Sequence, residues 1–187
     1  MRDDRAVTAP RYFALFDTPV GACALVWGDR GLIGVLLPES SEAATRLRVR
    51  RRYADAVEAA PPPELQRVIE RIHGLLNGAR DDLEDVALDL REIPPFHRRV
   101  YEIARAIHPG QTRSYGEIAN ALGEPQAARA VGQALGANPF PIIVPCHRVL
   151  AAGSKAGGFS APGGTRTKLR LLEIERAPLG GTPGLFD

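Results

Sequence analysis

The chain lacks most of the features that reveal a function from composition alone. Two cysteines, Cys23 and Cys146, in 187 residues cannot build a disulfide framework, and they point to a reducing compartment. The four histidines, His73, His97, His108 and His147, show no ligand spacing with those cysteines, so no metal and no cofactor is expected. No apolar run reaches membrane-spanning length, and Met1-Arg2-Asp3-Asp4-Arg5 carries no apolar secretory segment. No membrane partner is therefore expected, and the expected location is the cytoplasm. A net charge of only +2 means that any nucleic-acid surface must be a local patch. No internal repeat is visible. With 44% hydrophobic and 25% charged residues, the composition is that of an ordinary globular protein of one domain or two small ones.

The first half opens with strand-like runs. Tyr12 to Phe16, Ala22 to Trp27 and Leu32 to Leu37 are apolar, separated by Thr18-Pro19-Val20-Gly21 and Gly28-Asp29-Arg30-Gly31, which predicts a meander or successive hairpins. Cys23 reads as core packing. Ser41 to Tyr53 predicts a helix bearing Arg46, Arg48, Arg50, Arg51 and Arg52, either a solvated face or a contact for phosphates. Pro61-Pro62-Pro63 starts another helix running to about Asn77-Gly78. Val86 to Leu90 predicts one more strand, and Ile93-Pro94-Pro95 a linker.

The second half predicts helices. Phe96 to Ile107 places Val100, Ile103, Ala104 and Ile107 at helical spacing before Pro109-Gly110. Ser114-Tyr115-Gly116-Glu117 fits a capping box. The short helix that follows turns Ile118 and Leu122 inward and stops at Gly123. A second helix then runs from about Gln126 to Leu135. Two short helices joined by a tight turn make a helix-turn-helix. On the second one, Ala128, Val131 and Leu135 share a face, with Arg129 and Gln133 opposite. Its small residues suit either a groove or close packing on another helix.

The densest chemistry lies in Asn138-Pro139-Phe140-Pro141-Ile142-Ile143-Val144-Pro145-Cys146-His147-Arg148-Val149. Thiolate is the nucleophilic form of cysteine, and a neighbouring imidazole and guanidinium both favour it. The prolines stiffen the segment. In the final helix, Thr165 to Glu175, Leu171 and Leu172 mark the buried face; Glu175 projects between them while Glu173 points away. An acid on an apolar face needs a partner, and His147 is the natural candidate.

Pro-Cys-His-Arg-Val resembles the active-site motif of the O6-alkylguanine-DNA alkyltransferases. Thr112 to Ala119, Ala127 to Gly132 and Asn138-Pro139 resemble the same family in the same order, and the Lys168-to-Glu175 spacing also matches. The resemblance implies an α/β fold: a ribonuclease-H-like α/β domain over 1–92, then a helical DNA-binding and alkyl-acceptor domain over 93–187 containing the helix-turn-helix. It implies direct reversal of damage in double-stranded DNA bound through the minor groove by a monomer. The alkyl group of O6-alkylguanine, with O4-alkylthymine a further candidate, would pass irreversibly to Cys146 after base flipping.

Residue by residue, His147 matches the base that activates the cysteine through a water, and Glu175 its orienting acid. Arg129 matches the residue that fills the vacated stack. Ser114, Tyr115, Ala127 and Gln133 fall on the matching DNA-contacting segments. Tyr115 also matches the group that favours nucleotide rotation and donates toward N3 of the base. Asn138 matches the hinge. The carbonyls of Val149 and Cys146 match the acceptors for the exocyclic amine; Ser160 matches the loop position facing O6, and Pro141 would wall the alkyl pocket. Phe159 offers a further apolar wall.

The chain departs from the family at His97, where Gln is common, and at Tyr101, where Trp usually packs. Ala161-Pro162-Gly163-Gly164 lengthens the loop after Ser160, which leaves the range of alkyl groups open. Three alternatives fit less well. A non-catalytic alkyltransferase-like lesion-binding protein would replace the nucleophile that is present here. A helix-turn-helix regulator would bind as a dimer, and no second recognition element is evident. A Cys-His-Glu hydrolase would need a Gly-rich nucleophile elbow, which does not surround Cys146.

Overall fold

The computed structural model describes residues 9–154 and 156–178; the outer ends of the two expected segments, 1–8 and 179–187, lie outside the described residues. Three strands open the chain: β1 (Tyr12–Phe16), β2 (Cys23–Gly28) and β3 (Gly31–Leu36). They form antiparallel pairs as the turn signals predict. Gly31 sits at φ +120°, and a Cβ there would lie 2.7 Å from the Ala87 carbonyl oxygen, so both turn geometry and close approach require glycine. A short β4 (Val57–Glu58), not expected from the sequence, adds parallel to β1 and gives the order β3-β2-β1-β4.

β2 is buried at every position from Cys23 to Trp27 because both sheet faces are covered. Cys23, Leu25 and Trp27 join the main core, while Ala24 and Val26 meet Val49 and Tyr53 in a smaller cluster. Val49 lies on α1 (Glu42–Arg52), whose first turn is capped by the Ser41 side chain accepting from the Ala44 amide at 3.2 Å. α2 (Pro63–Leu76) covers the other face with Leu65, Val68, Ile69, Ile72, Leu75 and Leu76 at helical spacing.

The expected strand at Val86 to Leu90 is a single bridge, Leu32 to Leu88. The Asp89 carboxylate accepts from the amide and guanidinium of Arg91, which curls the chain away before a ladder can grow. The expected linker is shorter than predicted, since Pro95 already opens α3 (Pro95–Arg105), where a missing N–H costs nothing.

α3 packs on α4 (Tyr115–Ala121) and α5 (Ala128–Gly136). A 3-10 turn, Pro125–Ala127, precedes α5, so the second helix starts two residues later than the periodicity predicts. β5 (Arg113–Ser114) pairs parallel with β6 (Val149–Leu150), and α6 (Thr165–Ile174) ends the described chain with Glu175 as its C-cap. The main core runs without a break from Cys23 and Leu25 through Val100 and Ile118 to Val144 and Cys146. Among the described residues, no helix is long and apolar enough to cross a membrane.

Candidate active site

Cys146 is carried by a turn. The chain leaves α5 at Asn138, whose side-chain amide donates to the Val144 carbonyl at 2.8 Å and accepts from the Phe140 amide at 2.9 Å. That clamp closes a loop in which Ile142 takes φ +76°, a conformation a β-branched residue adopts only under constraint. The apolar run before Cys146 is therefore not a strand. Cys146–His147–Arg148 form a 3-10 turn, and strand β6 begins only after it. β6, which follows this turn, pairs in parallel with β5, which leads into Tyr115, the first residue of α4.

Behind Cys146 lies a buried chain of charged groups. His147 Nε2 and Glu175 Oε1 are 2.8 Å apart, with both side chains almost fully enclosed. Arg148 donates to the same carboxylate twice, through Nε at 2.9 Å and Nη2 at 2.8 Å, and to the Ile107 carbonyl through Nη1 at 2.5 Å. Burial alone would raise the Glu175 carboxyl, but His147 and Arg148 outweigh it and hold it at about 2. Burial lowers His147 despite Glu175. The two bonds from Arg148 meet the carboxylate's charge, and the imidazole can stay neutral. An ionised carboxylate only accepts, so Nε2 carries the ring hydrogen and Nδ1 keeps its lone pair. Nδ1 is buried with no hydrogen-bond partner among the described residues. An imidazole so placed can take a proton from a neighbouring thiol.

This corrects the expectation that the Arg148 guanidinium favours the thiolate. Burial pushes the Cys146 thiol up, and the opposing groups are the Asn138 side chain and the Lys168 ammonium. Lys168 is fully buried; its Nζ donates to the Val149 carbonyl at 2.6 Å and lies 5.8 Å from the centre of the Tyr115 ring. Burial lowers Lys168 to about 8, against the pull of Cys146. The sequence reading missed it as a site residue. Lys168, Leu171, Leu172 and Glu175 occupy one helical stripe, so the reasoning that singles out Glu175 would also have found it. The Val149 carbonyl, expected to face a base, already accepts from Lys168 and retains one lone pair.

Of the expected residues, Asn138, Pro141, Cys146, Phe159 and Ser160 line one hollow of about 140 Å³, whereas Tyr115, His147, Val149 and Glu175 are not part of its lining. Ala161 and Pro162, from the lengthened loop, line it as well. The Tyr115 ring packs against two glycines: a Cβ on Gly157 would lie 3.4 Å from it, and one on Gly132 of α5 at 3.8 Å. Ser114 and Glu117 form the expected capping box, with bonds of 3.1 and 2.6 Å. On α5, Val131, Ala134 and Leu135 are buried and Arg129 and Gln133 exposed; Ala127, in the turn before it, is half-buried. Elsewhere, Asp82, Glu84 and His108 bring ligating atoms within 4.8 Å of one another, a grouping that His–Cys spacing does not reveal. Arg80 and Arg176 line a surface hollow together with Asp82 and His108.

Residues 95–177 match the family model for the 6-O-methylguanine DNA methyltransferase, DNA binding domain. The methylated-DNA–protein-cysteine methyltransferase of Mycobacterium tuberculosis is 35% identical over 176 residues, covering 94% of this chain and 99% of that one. The chain belongs to the methylated-DNA–protein-cysteine methyltransferase family. The relative from Methanothermobacter thermautotrophicus is 33% identical over 87% of this chain and 84% of its own. Among solved structures, the Mycobacterium tuberculosis O6-methylguanine methyltransferase gives a TM-score of 0.71 at 35% identity, covering 95% of this chain and 99% of that chain. Mycobacterium tuberculosis OGT in complex with DNA gives 0.70 at 35% identity, covering 89% and 95%. The α/β fold is that of the methyltransferase structures.

Within this methyltransferase chain, two of the departures are packing changes. Tyr101 is buried and donates from its hydroxyl to the Ala134 carbonyl at 2.9 Å, tying α3 to α5. His97 tilts against it with ring centres 6.1 Å apart. The third departure reaches the site, since the lengthened loop forms part of its wall.

Proposed function

We propose that the protein repairs DNA by moving the alkyl group of O6-alkylguanine, and of O4-alkylthymine, onto Cys146. The observation that carries this reading is the buried series Cys146, His147, Glu175 and Arg148. Glu175 fixes the imidazole, Arg148 offsets the carboxylate's charge, and the free Nδ1 of His147 takes the thiol proton through a bridging water. The thiolate, supported by Lys168, displaces the alkyl carbon from O6. The departing guanine receives a hydrogen bond from Tyr115. A thioether carbon is a poor electrophile, so each molecule acts once.

The base must leave the duplex to reach a buried sulfur. In this reading α4 and α5 act as a helix-turn-helix against the minor groove. Ser114, Ala127 and Gln133 lie along the DNA, Arg129 fills the gap in the stack, and Asn138 is the hinge. Pro141 and Phe159 wall the alkyl group, Ser160 faces O6, and the carbonyls of Cys146 and Val149 hold the exocyclic amine. The sheet half, 1–92, serves as a ribonuclease-H-like domain and 93–187 as the alkyl acceptor, working as a monomer in the cytoplasm. Two unpaired cysteines are consistent with that compartment.

Intact mass spectrometry after incubation with a duplex containing O6-methylguanine tests the reading. One methyl group per chain should appear on the Cys146 peptide, and Cys146→Ala should abolish it. Tight binding without modification would identify a lesion-binding protein, and repeated turnover would exclude transfer to the protein.

A further inference from the structure

The hollow that contains Cys146 has a second wall. It comes from the sheet half of the molecule: the end of β3, together with Arg48 and Arg52 of α1. A methyl group and a guanine are both neutral, so neither calls for a cation there. Arg48 is shared with Glu39 at 3.2 Å. Arg52 has no acidic partner among the described residues, and its guanidinium carbon lies 5.7 Å from the centre of the Tyr53 ring. Arg46 of the same helix is tied to Glu42 and Glu58.

We propose that Arg48 and Arg52 make the site selective for alkyl groups that end in an anion, of which carboxymethyl is the simplest; this rests on the alkyl-transfer reading above. A carboxylate brought beside the Cys146 thiolate meets like-charge repulsion, which an uncommitted guanidinium offsets through paired hydrogen bonds of matching geometry. The step balances without another reactant. The Cys146 Sγ–CH2 bond forms as the CH2–O6 bond breaks. The electron pair leaves on O6, and guanine takes up the proton that the thiol gave to His147. The products are guanine and S-carboxymethylcysteine.

The test compares single-turnover transfer by the full chain from three duplexes, carrying O6-carboxymethylguanine, its neutral isostere O6-carbamoylmethylguanine, or O6-methylguanine. Arg52→Gln should lower the carboxymethyl-to-carbamoylmethyl rate ratio about tenfold, the worth of one charge-assisted hydrogen bond. Arg48→Gln, made together with Glu39→Gln so that no new acid borders the hollow, should lower it further. Thermal melts of the variants confirm that the fold is intact. An unchanged ratio overturns the proposal. A uniform fall on all three duplexes also overturns it, because the arginines would then be holding phosphates. Absence of any transfer by the unmodified chain would sink the alkyl-transfer reading and this proposal together, whereas normal methyl transfer with an unchanged ratio sinks this proposal alone.

Discussion

Arg148→Met separates two jobs that one side chain does. The substitution removes two bonds to Glu175 and one to the Ile107 carbonyl, and leaves a carboxylate only 2% exposed facing a neutral ring. Removing one partner of a buried pair costs about 3–5 kcal/mol, against a total stability of about 5–15 kcal/mol. The fold should therefore survive at room temperature with Tm lowered by roughly 6–20 °C, at about 2–4 °C per kcal/mol for this chain length. The orphaned carboxylate then recruits His147 as its cation. In the parent chain both His147 and Glu175 sit below their ordinary values. The unfolded state thus binds protons first, and stability falls as pH drops below about 6.5 and then through the carboxylate range. In the variant, His147 is raised above its unfolded value. Its contribution is complete below that value and is lost as pH rises through the raised one. The slope of Tm against pH between about pH 6 and pH 8 should reverse. At neutral pH, transfer should fall about a hundredfold, as when a general base is lost, and recover toward alkaline pH. Melts by circular dichroism and single-turnover assays across that range report both effects. An unchanged Tm with an unchanged slope would refute the clamp.

Arg129→Ala should slow repair within duplex DNA at least about tenfold, since unstacking a base costs a few kcal/mol, while reaction with free O6-alkylguanine stays near its parent rate; equal losses would make Arg129 structural. Lys168→Met should move the alkaline limb of Cys146 reactivity toward iodoacetamide to higher pH and slow it about tenfold at neutral pH. The unmodified chain should also lose rate as pH rises through about 8, where Lys168 gives up its proton; a flat profile would remove Lys168 from the mechanism. Deleting Ala161 and Pro162, which line the hollow, should slow transfer from O6-benzylguanine more than from O6-methylguanine in duplex DNA. An unchanged ratio would make the longer loop a neutral border.

Local chemistry was legible in the sequence wherever it repeats at a short spacing. The Ser114–Glu117 capping box, the inward face of α5 and the register that selects Glu175 over Glu173 all follow from residues three to four apart, and all are present. Glu173 instead pairs with Arg170 at the surface. Features set by distant partners were not legible. Strands β4, β5 and β6 have two residues each, too few to carry a periodicity. The Val86 to Leu90 segment has strand composition, but the Asp89–Arg91 turn diverts it. Arg148 is adjacent in sequence to the Cys146–His147 pair, which suggested that it serves the sulfur. Its partner is Glu175, 27 positions away, and only the packing of α6 against the 3-10 turn reveals this.

The unbroken core that joins Val35 and Leu37 of the sheet half to Val144 and Cys146 has a consequence for cellular dose. Such a core favours unfolding as one unit. A substitution at a sheet position remote from Cys146 therefore removes whole molecules from service and leaves the survivors at full speed. With single-use chemistry there is no turnover by which the remaining copies could compensate. The number of lesions a cell can clear equals its stock of folded chains, and about 1–2 kcal/mol lost anywhere in that core can change the stock several-fold.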